Sequence, residues 1–279
     1  MKKPKIPFLF NRLGVSYTIS AVIITVTTIA LVVVASSYAY QILEQQRGRS
    51  EFDVAEKSIL AFDDAVRDVA WDLKGARSTR FTVKYGQLEL MPNDALHGLP
   101  LLVTVTDYPN ANYSSYTGYV KYSMSTKYVT FGNGYQSYIL GDNKTVVTKG
   151  TENFGRALIE QESGWVNLIL NYRVRAMKTA TVNVTQDSEE VRVSYVDIWI
   201  IKMKITSFST NIGDLDLTAR SSNITTISFG DSEGNGYTVV GGECNIRVQL
   251  GNESDTATIS LDGDKVVFNF VIAEVQVSP

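Results

Sequence analysis

Between Leu13 and Leu43 the chain runs for 31 residues without a formal charge. As an α-helix this stretch reaches about 46 Å at 1.5 Å per residue, more than the ~30 Å hydrocarbon core of a bilayer. Its densest part, Ile19 to Ala35, is mostly Ile, Val, Ala and Thr. Such β-branched content suits a strand in water, but no soluble strand continues this far uninterrupted. In lipid, the backbone must satisfy its own hydrogen bonds, which selects a helix. Tyr38 and Tyr40 fall near one end, where amphipathic rings favour the headgroup layer. Lys2, Lys3, Lys5 and Arg12 precede the stretch with no acid among them. That charge bias predicts a membrane-spanning helix over 15–43, with a basic leader (1–14) in the cytoplasm and the residues beyond outside. A cleaved secretory signal calls for a shorter apolar run of about 7–15 residues, although Ala35-Ser36-Ser37 would suit a cleavage site. A core helix of a soluble protein rarely stays uncharged for so long.

The remaining residues hold 22 basic against 29 acidic side chains, a net charge of −7 with no clustered basic stripe. An acidic body repels phosphate backbones, which argues against nucleic-acid binding. The single cysteine, Cys244, excludes an internal disulfide and reads as a small buried apolar residue. The single histidine, His97, sits between Pro92 and Pro100 and reads as a loop residue. Zinc sites built from Cys and His lack ligands, and no hydrolytic or phosphate-cradling motif is present. The chain is therefore read as a non-enzyme without cofactor or metal. Asp231, Glu233, Asn235 and Gly236 resemble half a calcium loop, but Gly242 stands where a bidentate Glu is needed, and a turn is the better reading.

The leader ends in Asn11-Arg12-Leu13-Gly14, followed by Val15-Ser16 and the apolar helix. This resembles the class III signal peptide of archaeal type IV pilin-like membrane proteins. The resemblance continues through Leu43-Glu44, Arg47, the run from Ala55 to Phe62 and that from Ala76 to Phe81. It implies a prepilin-type peptidase as partner, a cut between Gly14 and Val15, and retention of the helix in membrane lipid after processing. It also implies association with further copies or other pilin-like subunits. Leu13 stands between Arg12 and Gly14, where the family usually has its basic residue directly before the small residue at the cut.

Residues 44–75 read as an amphipathic stalk helix. Phe52, Ala55, Ile59, Phe62, Val66, Val69 and Leu73 recur at spacings of three and four, one apolar stripe over three heptads. The stripe is expected to pack on the chain's own β domain in preference to a neighbouring helix. Asp63, Asp64, Asp68 and Asp72 read as a solvated face, with Asp63 and Arg67 as an i,i+4 pair. Gly48 marks a candidate kink and Gly75 a helix C-cap.

From Arg80 the pattern changes to period two, as in Phe81–Tyr85, Val103–Thr106 and Tyr119–Tyr122. Val166–Met177, Val191–Ile205 and Val266–Val277 are longer runs, and Ile198-Trp199-Ile200-Ile201 suggests a strand buried on both faces. Asp262-Gly263 reads as a hairpin, Gly132-Asn133-Gly134 as a turn, Thr151–Glu162 as a short helix, and Thr185–Ser188 as a division between sheets or subdomains. The expected fold class is α+β: a long N-terminal transmembrane and stalk helix, then a mainly antiparallel, sandwich-like extracellular β domain over 76–279. Eight tyrosines between Tyr108 and Tyr138 are expected to stack across strands, with ligand contact as the rival reading. Five N-glycosylation sequons, at Asn112, Asn143, Asn183, Asn223 and Asn252, all fall in this domain. Two roles follow: a surface structural or interaction protein of pilin-like type, or a tethered module that binds an envelope glycan or surface protein.

Overall fold

A computed structural model describes residues 13–141, 147–149, 153–186, 189–210, 213–230 and 236–279. Its first element, α1, is one α-helix over Leu13–Ala70, so the expected span and stalk are parts of a single element. The chain divides into two compact units, Met1–Arg47 and Gly48–Pro279. In the first, α1 is long and apolar enough to cross a membrane, with a mean hydropathy of 2.5 in its most apolar window.

In the second unit, α1 continues to Ala70 and strands follow. In chain order they are β1 (Ala76–Val83), β2 (Gly86–Met91), β3 (Leu99–Val105), β4 (Asn112–Thr117), β5 (Tyr119–Ser125) and β6 (Gln136–Leu140). Then come β7 (Val147–Lys149), β8 (Gly155–Glu162), β9 (Trp165–Tyr172), β10 (Val174–Gln186), β11 (Glu189–Ile205) and β12 (Phe208–Thr210). The last are β13 (Gly213–Phe229), β14 (Tyr237–Thr238), β15 (Glu243–Leu250), β16 (Glu253–Ser260) and β17 (Lys265–Ser278). One sheet has the order β1-β13-β17-β11-β10-β7, with β14 also on β17. A second runs β12-β2-β5-β9-β8-β6, and a third β16-β15-β3-β4.

Pairing is mainly antiparallel, as expected. The exceptions are β7 with β10, and β11 with β17, which run parallel from Val193 opposite Lys265 to Ile205 opposite Val277. Parallel neighbours need a long crossover, and here the chain between them passes through β15 and β16 of the third sheet. Two apolar cores result. One joins α1 to the six- and seven-stranded sheets, and the other lies between the seven- and four-stranded sheets. β11 serves both: Ile198 and Ile200 enter one core, Ile201 and Met203 the other. That is the strand buried on both faces that the Ile198–Ile201 run predicts.

The stripe faces the chain's own sheets. Phe52, Ala55, Ile59, Phe62, Val66 and Val69 are all buried in the first core. Leu73 is the exception, 58% exposed, because α1 ends at Ala70 and the chain reverses through Lys74, whose φ is +72°. The left-handed residue at the helix end is therefore Lys74, not Gly75; Gly75 N–H closes the turn onto the Asp72 carbonyl at 2.9 Å. Gly48, expected to kink the helix, lies within its uninterrupted run. A Cβ there would sit 2.6 Å from the Tyr128 ring, so the glycine allows close contact.

Three further expectations are corrected. Thr151–Glu162 contains no described helix: Gly155–Glu162 is β8, paired with β9 around Ser163 and Gly164, whose φ values of +52° and +84° suit a two-residue hairpin turn. Gln186 opposes Glu189 in the antiparallel β10–β11 pair, so the described positions on either side of the expected division lie in one sheet. Asp262-Gly263 carries the chain from β16 into β17, which lie in different sheets, and forms no hairpin. A Cβ on Gly263 would meet the Arg192 carbonyl at 2.8 Å, and the Asp262 carboxylate accepts hydrogen bonds from Lys178 and Thr181.

Candidate functional site: an apolar helix and its clamp

Every residue from Tyr17 to Leu43 is exposed, including Leu31 at 69% and Val34 at 66%. The hydroxyls of three threonines inside this stretch are satisfied by the helix itself. Thr25 donates to the Ala21 carbonyl, Thr27 to that of Ile23 and Thr28 to that of Ile24, at 2.9, 2.9 and 2.7 Å. A surface that is apolar all round, with these polar atoms bonded internally, is suited to a solvent that offers no hydrogen bonds. Gly14 and Val15 lie in the first turn of α1. Residues 1–12 of the basic leader lie outside the described residues.

Where α1 enters the second unit, Glu51 is fixed in the β domain. Its Oε1 accepts the backbone N–H groups of Lys84, Tyr85 and Gly86 at 2.9, 3.0 and 3.1 Å, and the Tyr122 hydroxyl at 2.8 Å. The β1–β2 connection thus wraps a carboxylate that is almost fully buried. Gly86 is required there, since a Cβ would lie 2.2 Å from the Tyr122 oxygen. Burial and then the adjoining Glu51 charge push the Tyr122 hydroxyl pKa far up, so it stays a donor. No local pattern in the sequence marks Glu51, because its partners lie more than thirty residues away.

Three turns later Asp63, expected on a solvated face, is instead buried. Its Oδ2 accepts from Arg67 Nε at 2.9 Å, and Arg67 also pairs with Asp64. Its other oxygen lies against Gly155, where a Cβ would overlap it. Tyr172 approaches the carboxylate, yet neither Asp63 Oδ1 nor the Tyr172 hydroxyl completes a hydrogen bond of normal geometry. Burial raises the Asp63 pKa to about 6, against the opposing pull of Arg67. Past the helix end, Trp71 rests on Phe154 and Trp199, with ring centroids 5.8 and 6.0 Å away.

The other expected positions are not brought together. Cys244 is buried in the second core, its thiol pKa pushed up to about 12 by that burial. His97 is exposed beside Asp94 at 3.2 Å. Among the described residues no group of His, Cys, Asp and Glu could hold a metal, and 231–235, the half calcium loop, lie outside them. Of the tyrosines, Tyr122 is core, Tyr128 packs on Tyr85 at 5.1 Å and Tyr108 on Tyr237 at 5.2 Å. Asn112, Asn183, Asn223 and Asn252 are exposed. Asn143 lies outside the described residues.

One concavity lies on the six-stranded sheet. A groove of about 450 Å³ crosses the outward face of β2, β5 and β9, lined by Gln87, Glu89, Lys121, Ser123 and Asn167 with half-exposed Trp165 at its rim. Its polar groups already bond one another: Ser123 donates to Asn167 at 2.8 Å, and Lys121 pairs with Glu89 at 3.3 Å. Comparison with protein-family models, with curated proteins and with solved structures finds no match.

Proposed function

We propose that this chain is a pilin-like structural or interaction protein of the archaeal cell surface. On this reading α1 is a single-pass anchor with its N-terminus cytoplasmic, and a sandwich-like β domain stands outside. The observation that carries the proposal is the wholly exposed, uncharged helical surface from Tyr17 to Leu43. An apolar surface of that extent has to be covered, by lipid or by protein. A prepilin-type peptidase cuts between Gly14 and Val15, and membrane lipid surrounds the helix. Packing against other subunits would replace lipid with side chains of similar apolarity.

Mass-spectrometric sequencing of the mature N-terminus tests the proposal. A start at Val15 in the membrane fraction supports it; a start near Ser36 in a released protein refutes it. Negative-stain microscopy with an antibody to the β domain then separates two outcomes. Labelled filaments support assembly, whereas label confined to the membrane favours a tethered binding module. The polar groove with Trp165 at its rim supports that second reading, because planar amide and carboxylate groups beside an aromatic ring suit a glycan.

A further inference from the structure

The seven-stranded sheet is open along part of both flanks. β1 covers β13 only from Gly213 to Arg220, and the next N–H, that of Ser221, reaches the Gly75 carbonyl. From 222 to 229 the outer edge of β13 has no strand beside it among the described residues. On the other flank β7 covers β10 only from Val174 to Ala176, and the rest of that edge is likewise open among the described residues. Residues 179–185 (TATVNVT) and 222–229 (SNITTISF) contain no charge and no proline and are rich in β-branched side chains. Val182, Val184 and Ile227 are 46%, 40% and 38% exposed there. An uncharged, β-prone open edge is a template for pairing with another chain; proline is missing from both, and the one lysine on either open stretch, Lys178, is drawn to Asp262.

Each of these edges instead carries a sequon, Asn183-Val184-Thr185 on β10 and Asn223-Ile224-Thr225 on β13. In an extended strand, residues two apart share a face, which brings the amide and the hydroxyl of a sequon together. Asn223 Nδ2 donates to Thr225 Oγ1 at 2.9 Å. Both asparagines are exposed. The third sheet repeats the placement: Asn112 opens its edge strand β4, and Asn252 directly precedes its other edge strand, β16.

We propose that Asn183 and Asn223 carry N-linked glycans that cap the two open flanks of the seven-stranded sheet and stop copies of the chain from pairing edge to edge. The proposal rests on the reading of the β domain as exported. At each site a bond forms between Asn Nδ2 and the anomeric carbon of a lipid-phosphate-linked glycan. The bond from that carbon to the phosphate oxygen breaks, the lipid phosphate leaves, and the Nδ2 proton passes to a base of the transferase.

The test uses the full chain, purified in detergent from its native membranes. Glycopeptide mapping is expected to find Asn183 and Asn223 occupied. In size-exclusion chromatography with light scattering, the Asn183→Gln/Asn223→Gln variant is expected to lose most of its monomer peak to heavier species. Adding Val184→Lys and Ile227→Lys to that variant should restore the monomer, which separates edge pairing from misfolding. Bare asparagines, a glycan-free variant that stays monomeric, or aggregation that the lysines leave unchanged would each overturn the proposal. Protease added to intact cells keeps the two readings apart. A domain digested from outside but bare at both sites refutes the glycan caps alone, whereas a protected domain refutes export as well.

Discussion

Replacing Asp63 with asparagine should make the β domain more stable at neutral pH, by an amount that depends on pH in a defined way. Burial holds the Asp63 carboxyl at about 6 in the folded chain, against 3.8 for an ordinary aspartate. Below the lower value both folded and unfolded chains carry the proton, and the ionisation contributes nothing. Between the two values the unfolded chain releases the proton first, so stability falls as pH rises, and it levels off above about 6. A gap of about two pH units corresponds to ~3 kcal/mol. In a domain of this size that is a melting-temperature difference of roughly 6–12 °C. The substituted amide would fill nearly the same space over Gly155, carry no charge, and leave Arg67 its pairing with Asp64. The assay is tryptophan-fluorescence melting of detergent-solubilised wild type and Asp63→Asn at pH 4, 5, 6 and 7. The advantage of the variant should be near zero at pH 4 and largest at pH 7. A difference that does not change with pH, or one that grows toward acid, would refute burial as the dominant influence on this carboxylate.

Glu51→Ala removes the acceptor of three backbone N–H groups and a buried hydroxyl; a loss of about 3–5 kcal/mol is expected in denaturant titration. Gly86→Ala places a methyl 2.2 Å from the Tyr122 oxygen and 2.3 Å from the ring carbon that bears it, so it should destabilise wild type by several-fold more than it does a Tyr122→Ala background in the same titration. Gly48→Ala gains about 0.8–1 kcal/mol of helix propensity, but the Tyr128 ring lies 2.6 Å from the added carbon. The expected sign is therefore destabilising, turning to stabilising in a Tyr128→Gly background, because the Tyr128 Cβ itself lies 2.7 Å from the added carbon. Ile24→Arg puts a charge in the middle of the apolar stretch at a cost of roughly 2.5–3.5 kcal/mol for insertion, and alkaline carbonate should extract more of this variant from membranes.

The apolar span of α1 was legible because the solvent it faces dictates composition over a long window, whatever the rest of the chain does. The stripe was legible for a related reason: a core face repeats every three or four residues, and Phe52 through Val69 keep that spacing. The pattern failed at Leu73, where the end of the helix is decided by the reversal at Lys74 and not by hydrophobicity. Asp63 was misplaced because polarity alone cannot distinguish a solvated carboxylate from one buried beside Arg67 and Tyr172. In and beside β8, Phe154, Leu158 and Ile159 have helical spacing, yet their burial comes from a strand covered on both sides, since Ile159 enters the first core while Leu158 points the other way. Glu51 was invisible, because three N–H groups from one distant turn and a hydroxyl from another strand define its role. The groove on β2, β5 and β9 exists only through register: Gln87, Ser123 and Asn167 are aligned by strand pairing and not by sequence proximity.

The position of β17 has a consequence for how the domain is made. It follows the other sixteen strands of the described residues, yet it lies in the interior of the seven-stranded sheet, between β13 and β11. Until residues 265–278 have emerged, the β1–β13 and β10–β11 ribbons are two separate pieces, each with an unfilled side. Closure then occurs in one late step across contacts distant in sequence, which slows folding. A nascent chain that stays unfinished until that step would remain threadable through a narrow pore, with its sheet sealing only after the last of these strands has come through.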